Sequence, residues 1–62
     1  MLIDRIDREY KGHFIEINIY HSLKELKIYW DEYDLPIYKE KFIDYPIDEI
    51  LITAKRIIEN SK

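Results

Sequence analysis

The sequence predicts an α+β domain in which a three- or four-stranded antiparallel meander packs on one C-terminal α-helix, in the order β-β-β-α. Three observations predict it. Apolar residues between Ile47 and Asn60 recur with a helical period. Two runs, His13–Tyr20 and Leu26–Tyr33, alternate with period two. The residues that break elements are few and sit between these runs, namely Gly12, Pro36 and Pro46. No linker or repeat divides the chain, so residues 1–62 are read as a single domain.

Met1–Tyr10 admits two readings. Ile3, Ile6 and Tyr10 fit a helical stripe, but Asp7–Tyr10 also fits a strand pairing back on His13–Ile17 through a tight Lys11-Gly12 turn. The extended reading is preferred, because Gly12 supplies the positive φ that such a turn needs. In His13–Tyr20, Ile15, Ile17 and Ile19 share one face while Phe14, Glu16, Asn18 and Tyr20 share the other. In Leu26–Tyr33 the rows are Leu26, Ile28 and Trp30 against Lys27, Tyr29, Asp31 and Tyr33. His21–Glu25 forms the loop between them. Ile37–Ile43 is a third strand after the turn at Tyr33-Asp34-Leu35-Pro36. Solvating Lys39 and Lys41 turns Tyr38 and Phe42 inward.

The helix is the most clearly written element. Ile47, Ile50, Leu51, Ala54, Ile57 and Ile58 form one stripe. Pro46 suits the first turn, and Asp48 and Glu49 complement the positive end of the helix dipole. The expected core is Ile15, Ile17, Ile28 and Trp30 beneath Ile50, Leu51, Ala54, Ile57 and Ile58. Ile52 projects from the back of the helix.

Composition narrows function. A chain this short buries a small core, so its stability is marginal unless something staples it. There is no cysteine, which removes disulfides and thiolate metal sites and leaves a partner subunit as the available staple. The net charge is −3, and His13–Asp34 carries the excess, with five acids against two bases. That balance argues against nucleic acid, whose binders present a basic stripe. No basic segment precedes an apolar run, and no run approaches the length of a membrane span, so the expectation is a cytoplasmic protein with no membrane contact.

Catalytic and cofactor motifs are not expected. Gly12 is the sole glycine, so no phosphate loop can be built. Ser22, Thr53 and Ser61 are the only hydroxyl residues outside tyrosine and stand in no triad pattern. His13 and His21 lie about 25 Å apart along an extended strand and cannot share one ion, so they read as solvated or loop-packing residues. Asp31, Glu32 and Asp34 form an acidic cluster that could act as acid and base or hold a hard cation, but reads more simply as a solvated turn.

The candidate interface is aromatic. Phe14, Tyr20, Tyr29 and Tyr33 all point to the sheet face away from the helix. Such a face suits a protein interface, where tyrosine is enriched, or base stacking. Alternatively the N-terminal segment folds over and covers it. The reading is a small protein-interaction module whose partner is itself, as a homodimer, or another protein, using the open sheet face or an edge strand. The alternative is a nucleic-acid-binding or antitoxin-like regulatory module using the aromatic face.

Tyr10-Lys11-Gly12-His13-Phe14-Ile15-Glu16-Ile17, then Trp30, then Phe42 through Ala54-Lys55-Arg56-Ile57-Ile58, resemble small uncharacterised bacterial and cyanobacterial proteins of β-β-β-α type. The resemblance covers about fifty residues of fold-making pattern and implies a fold without an activity. In shape the chain also resembles the three-stranded DNA-reading domain of some integrases, where a basic sheet face enters the major groove. This chain offers Lys27 there, together with Glu16 and Asp31. It further resembles HicB-type antitoxin half-domains, without their Gly-Cys turn.

Overall fold

The computed structural model describes residues 1–30 and 35–60. It contains strands β1 (Leu2–Tyr10), β2 (His13–Tyr20), β3 (Lys24–Tyr29) and β4 (Pro36–Phe42), followed by helix α1 (Ile47–Asn60). The strands form one antiparallel sheet in the order β1-β2-β3-β4. This is the meander-plus-helix architecture, with four strands. The N-terminal segment is a strand lying beside β2 in the sheet, so it does not fold over the face that carries the aromatics.

Local chemistry explains each junction. Lys11 and Gly12 both take positive φ, +50° and +82°, which is the signature of a type I′ turn and matches the twist of the strands it joins. β2 and β3 are joined by three residues rather than five. The turn closes with the Tyr20 N–H donating to the Leu23 carbonyl at 2.8 Å. Pro46 opens α1, its carbonyl accepting from Glu49 N–H at 3.1 Å and Ile50 N–H at 3.3 Å. Thr53 donates its hydroxyl back to the Glu49 carbonyl at 2.9 Å.

The core is aliphatic and narrow. Ile15 and Ile17 of β2 with Leu26 and Ile28 of β3 are sealed beneath Ile50, Ala54 and Ile58, and Phe42 of β4 closes one side. Leu51 and Ile57 are half-buried and flank the cluster, as do Ile6, Tyr10, Ile19, Tyr38 and Ile47. Tyr38 and Phe42 do turn inward. Ile52 is exposed on the back of the helix.

Trp30 corrects the expected core. It is 53% exposed, and β3 ends one residue before it. β2 and β3 stay in step as far as Phe14 and Tyr29, and the register shift at Ile28/Tyr29, where Tyr29 meets Pro36, adds its extra residue to β4. Trp30 therefore keeps to the face of Ile28 but stands past the last paired residue, outside the sealed cluster. The indole instead meets the ring of His13 edge-on, with centroids 4.4 Å apart. His13 is held in turn by its Nδ1, 3.1 Å from the Lys11 carbonyl. Tyr33, the Asp31/Glu32/Asp34 cluster and most of the turn before Pro36 lie outside the described residues.

A polar clasp ties the first hairpin to the end of the helix. The Tyr10 hydroxyl donates to the Glu59 carboxylate. The Lys11 ammonium lies 3.3 Å from the same carboxylate, and Lys55 Nζ sits 5.3 Å from the centre of the Tyr10 ring. The hydrogen bond from Tyr10, then Lys11, holds Glu59 below the ordinary carboxylate value. The same bond raises the Tyr10 hydroxyl.

Two predictions follow from this packing. Leu26→Ala is expected to cost roughly 2–5 kcal/mol, as for a sealed leucine. Trp30→Ala should cost no more than about 1.5 kcal/mol, the scale of one aromatic pair. Paired urea titrations check this, and equal losses would refute the revised core. The clasp should also be pH-dependent. A depressed carboxylate stabilises above its unfolded value and loses that contribution as pH falls through the folded value. A raised tyrosine stabilises below its unfolded value and loses it as pH rises. The Tm difference between wild type and Tyr10→Phe should therefore be largest near neutrality and shrink at both extremes. Melting curves across pH measure it.

Candidate interaction site

Pairing fixes which side chains share the sheet's outer face. Glu9, Phe14 and Tyr29 are in line across β1, β2 and β3; so are Asp7, Glu16 and Lys27, and so are Arg5, Asn18 and Glu25. Lys39 and Lys41 extend the last two rows onto β4. The outer face therefore carries polar rows with one aromatic row at its end. Phe14 and Tyr29 are direct cross-strand neighbours and are half-buried. Tyr20 lies at the far end of β2, six residues from Phe14, about 20 Å along an extended strand. The structure thus brings two of the four predicted interface residues together, separates the third, and the fourth, Tyr33, lies outside the described residues.

Glu16 organises the centre of this face, a role that sequence alternation alone did not mark. Its carboxylate accepts from the Tyr29 hydroxyl at 2.9 Å and from Asn18 Nδ2 at 2.7 Å, and Arg5 Nη2 is 3.8 Å away. Its side chain is only 13% exposed, and Asn18 is the one buried polar residue among those described. Partial burial, then the bond to Glu16, raises the Tyr29 hydroxyl above its ordinary value. Arg5, Asp7, Phe14, Glu16 and Tyr29 border a shallow concavity of about 420 Å³. Because the Tyr29 hydroxyl is spent on Glu16, the aromatic row is a braced part of the sheet.

His13 and His21 stand at opposite ends of β2, and no cluster of three or more metal-ligating side chains occurs among the described residues. No helix among them is long and apolar enough to cross a membrane.

Among the described residues the sheet has two free edges, β1 and β4, and they differ. β4 begins with proline and carries Lys39 and Lys41, devices that discourage pairing. β1 is nine residues long with no proline. Because only Lys11 and Gly12 separate Tyr10 from its partner His13, that pair exchanges both backbone hydrogen bonds. Alternation then turns the backbone groups of Asp4, Ile6 and Arg8 toward β2, and those of Arg5, Asp7 and Glu9 outward. Side chains meet two of the outward groups. The Asp4 carboxylate accepts from the Arg5 N–H at 2.7 Å, and Arg8 Nη1 donates to the Asp7 carbonyl at 2.8 Å. Arg5 Nε is 3.0 Å from the Asp7 carboxylate. All four of these residues are exposed.

Comparison with family models, with curated proteins and with solved structures finds no match, so the functional reading rests on this geometry. The bracing of the outer face is directly testable. Tyr29→Phe should lower stability by about 1 kcal/mol, the net worth of one hydrogen bond to a half-buried group. An unchanged urea midpoint would show that Glu16 is satisfied without it.

Proposed function

We propose that this chain is a small protein-interaction module that self-associates, most simply as a homodimer, by continuing its sheet across the free edge of β1. The observation that carries the reading is that edge itself. It is a long strand whose outward N–H and C=O groups have no strand beside them among the described residues, the arrangement that takes up a further strand in β-augmentation. It is also the edge without the lysine-and-proline protection of β4. Need supports opportunity, since a core of eight buried apolar residues among those described with no disulfide gains from subunit burial.

The two surfaces offered by the sequence are thereby ranked. The open face is crossed by charged rows that are paired within the chain, through Glu16 with Arg5 and Glu25 with Lys27. Nucleic-acid binding by the aromatic face draws less support. Across the four strands the face sets Arg5, Lys27, Lys39 and Lys41 against Asp7, Glu9, Glu16 and Glu25, which leaves no positive excess to neutralise phosphate.

Sedimentation and melting over a range of concentrations test the reading. A dimer predicts a mass that doubles with concentration and a Tm that rises by a few degrees per tenfold increase. A chain that remains a monomer at hundreds of micromolar, with constant Tm, would overturn it.

A further inference from the structure

Resting on that reading, we propose that the partner of β1 is a second copy of β1, antiparallel and in one register, with the two-fold axis passing through Ile6. The segment Asp4-Arg5-Ile6-Asp7-Arg8 is charge-antisymmetric about its centre. Reversed and laid against itself, it sets Asp4 opposite Arg8 and Arg5 opposite Asp7, twice each. Four opposite-charge pairs form, no like-charge pair forms, and Ile6 meets Ile6 of the second copy. Cross-strand neighbours are the units that stabilise or penalise a sheet pairing.

Backbone direction narrows the register independently of charge. Arg5, Asp7 and Glu9 present their N–H and C=O groups to the edge, so they must pair among themselves. An antiparallel self-pairing is therefore centred on a residue and not between two. Centring on Arg5 sets arginine on arginine, centring on Asp7 sets aspartate on aspartate, and centring on Arg8 repeats the arginine clash. Parallel pairing in the same register sets every charge on its like. Ile6 is the one centre of this segment without a clash, and there Arg5 and Asp7 exchange both backbone hydrogen bonds with the second copy.

The same centre fits the side chains. Ile6 lies on the helix side, half-buried against the core, while Asp4 and Arg8 on that side are exposed. Pairing at Ile6 places both helices on one side of an eight-stranded sheet and joins the two cores through an isoleucine pair. Asp4 and Arg8 then exchange roles. In the isolated chain they cap the Arg5 N–H and the Asp7 carbonyl. In the dimer those backbone groups bond each other, and the freed carboxylate and guanidinium pair across the seam.

The experiment uses two full-length variants, an acidic edge (Arg5→Glu with Arg8→Glu) and a basic edge (Asp4→Lys with Asp7→Lys). All four positions are exposed, and circular dichroism verifies the fold of each. Each variant alone should self-associate at least tenfold more weakly than wild type, and the equimolar mixture should regain dimer mass as a heterodimer. Folded variants that dimerise like wild type, or a mixture that does not associate, would overturn this register while leaving the module reading intact. A monomeric wild type would overturn both. Should a variant fail to fold, single cysteines read the register instead. Ile6→Cys should form a symmetric disulfide in oxidised glutathione at least tenfold faster than Arg5→Cys, since residues across a non-hydrogen-bonded pair lie about 4.5 Å apart. Equal rates would overturn it.

Discussion

One helix lying on four strands sets everything else in this molecule. A helix with its side chains is about 10 Å wide, and four strands spaced about 4.8 Å apart make a wider sheet than it can cover. The sealed residues are accordingly Ile15, Ile17, Leu26 and Ile28 of the two central strands, under Ile50, Ala54 and Ile58. Only Phe42 from the outer strands is buried with them. The outer strands and the opposite face must find other partners, and each has a different one. The hairpin end of β1 is clasped to the helix through Tyr10 and Glu59. The outer face is braced by charged and hydroxyl side chains around Glu16. The rest of the β1 edge makes do with its own side chains.

Much of this was legible in the sequence, and the reason is period. The helix at Ile47–Asn60 appears with the bounds its stripe predicts, and the rows of β2 and β3 face as their alternation predicts. The Lys11-Gly12 turn was readable because glycine and a positive φ go together. Trp30 shares the face that alternation predicts, beside His13, but stands beyond the end of β3 and outside the sealed cluster, and period alone does not say where a strand ends or how far the helix reaches. Partners across a sheet are set by register, which no single strand's pattern contains. The same limit applies to Phe14, Tyr20 and Tyr29. Period put them on one face, but only pairing shows that Phe14 and Tyr29 touch and that Tyr20 lies at the other end. Glu16 looked like one more solvated acid until Tyr29, Asn18 and Arg5 were placed around it.

The polar outer face carries its own physical logic. A two-layer fold with one apolar face and one open face must keep the open one from being a second core. Here glutamate, asparagine, arginine and lysine side chains pair with one another across the strands and keep it polar. Glu16 and Asn18 are nearly covered, yet their polar atoms are matched. Buried polar groups of this kind cost stability mainly when unmatched, and here they are matched within the chain.

In the proposed pairing, protection and recognition share residues on the edge of β1. Charges on an edge strand ordinarily discourage pairing, because a random neighbour leaves them unmatched. Asp4 and Arg8 fit that role, each satisfying one outward backbone group of its own strand. Their sequence order adds selectivity. A strand whose charges reverse sign about its centre is penalised against nearly every neighbour and matched by its own reversed copy. The penalty against strangers and the match to self are one pattern, and specificity is the difference between the two. An apolar edge of equal length would bind more tightly and far less selectively. A charged edge without this symmetry, such as β4 with lysine at its middle and again two residues on, keeps the penalty and loses the match. Under the proposed pairing, the contrast between the two edges of one small sheet gives the assembly a single direction in which to grow, and it closes after one step, because each chain has one β1.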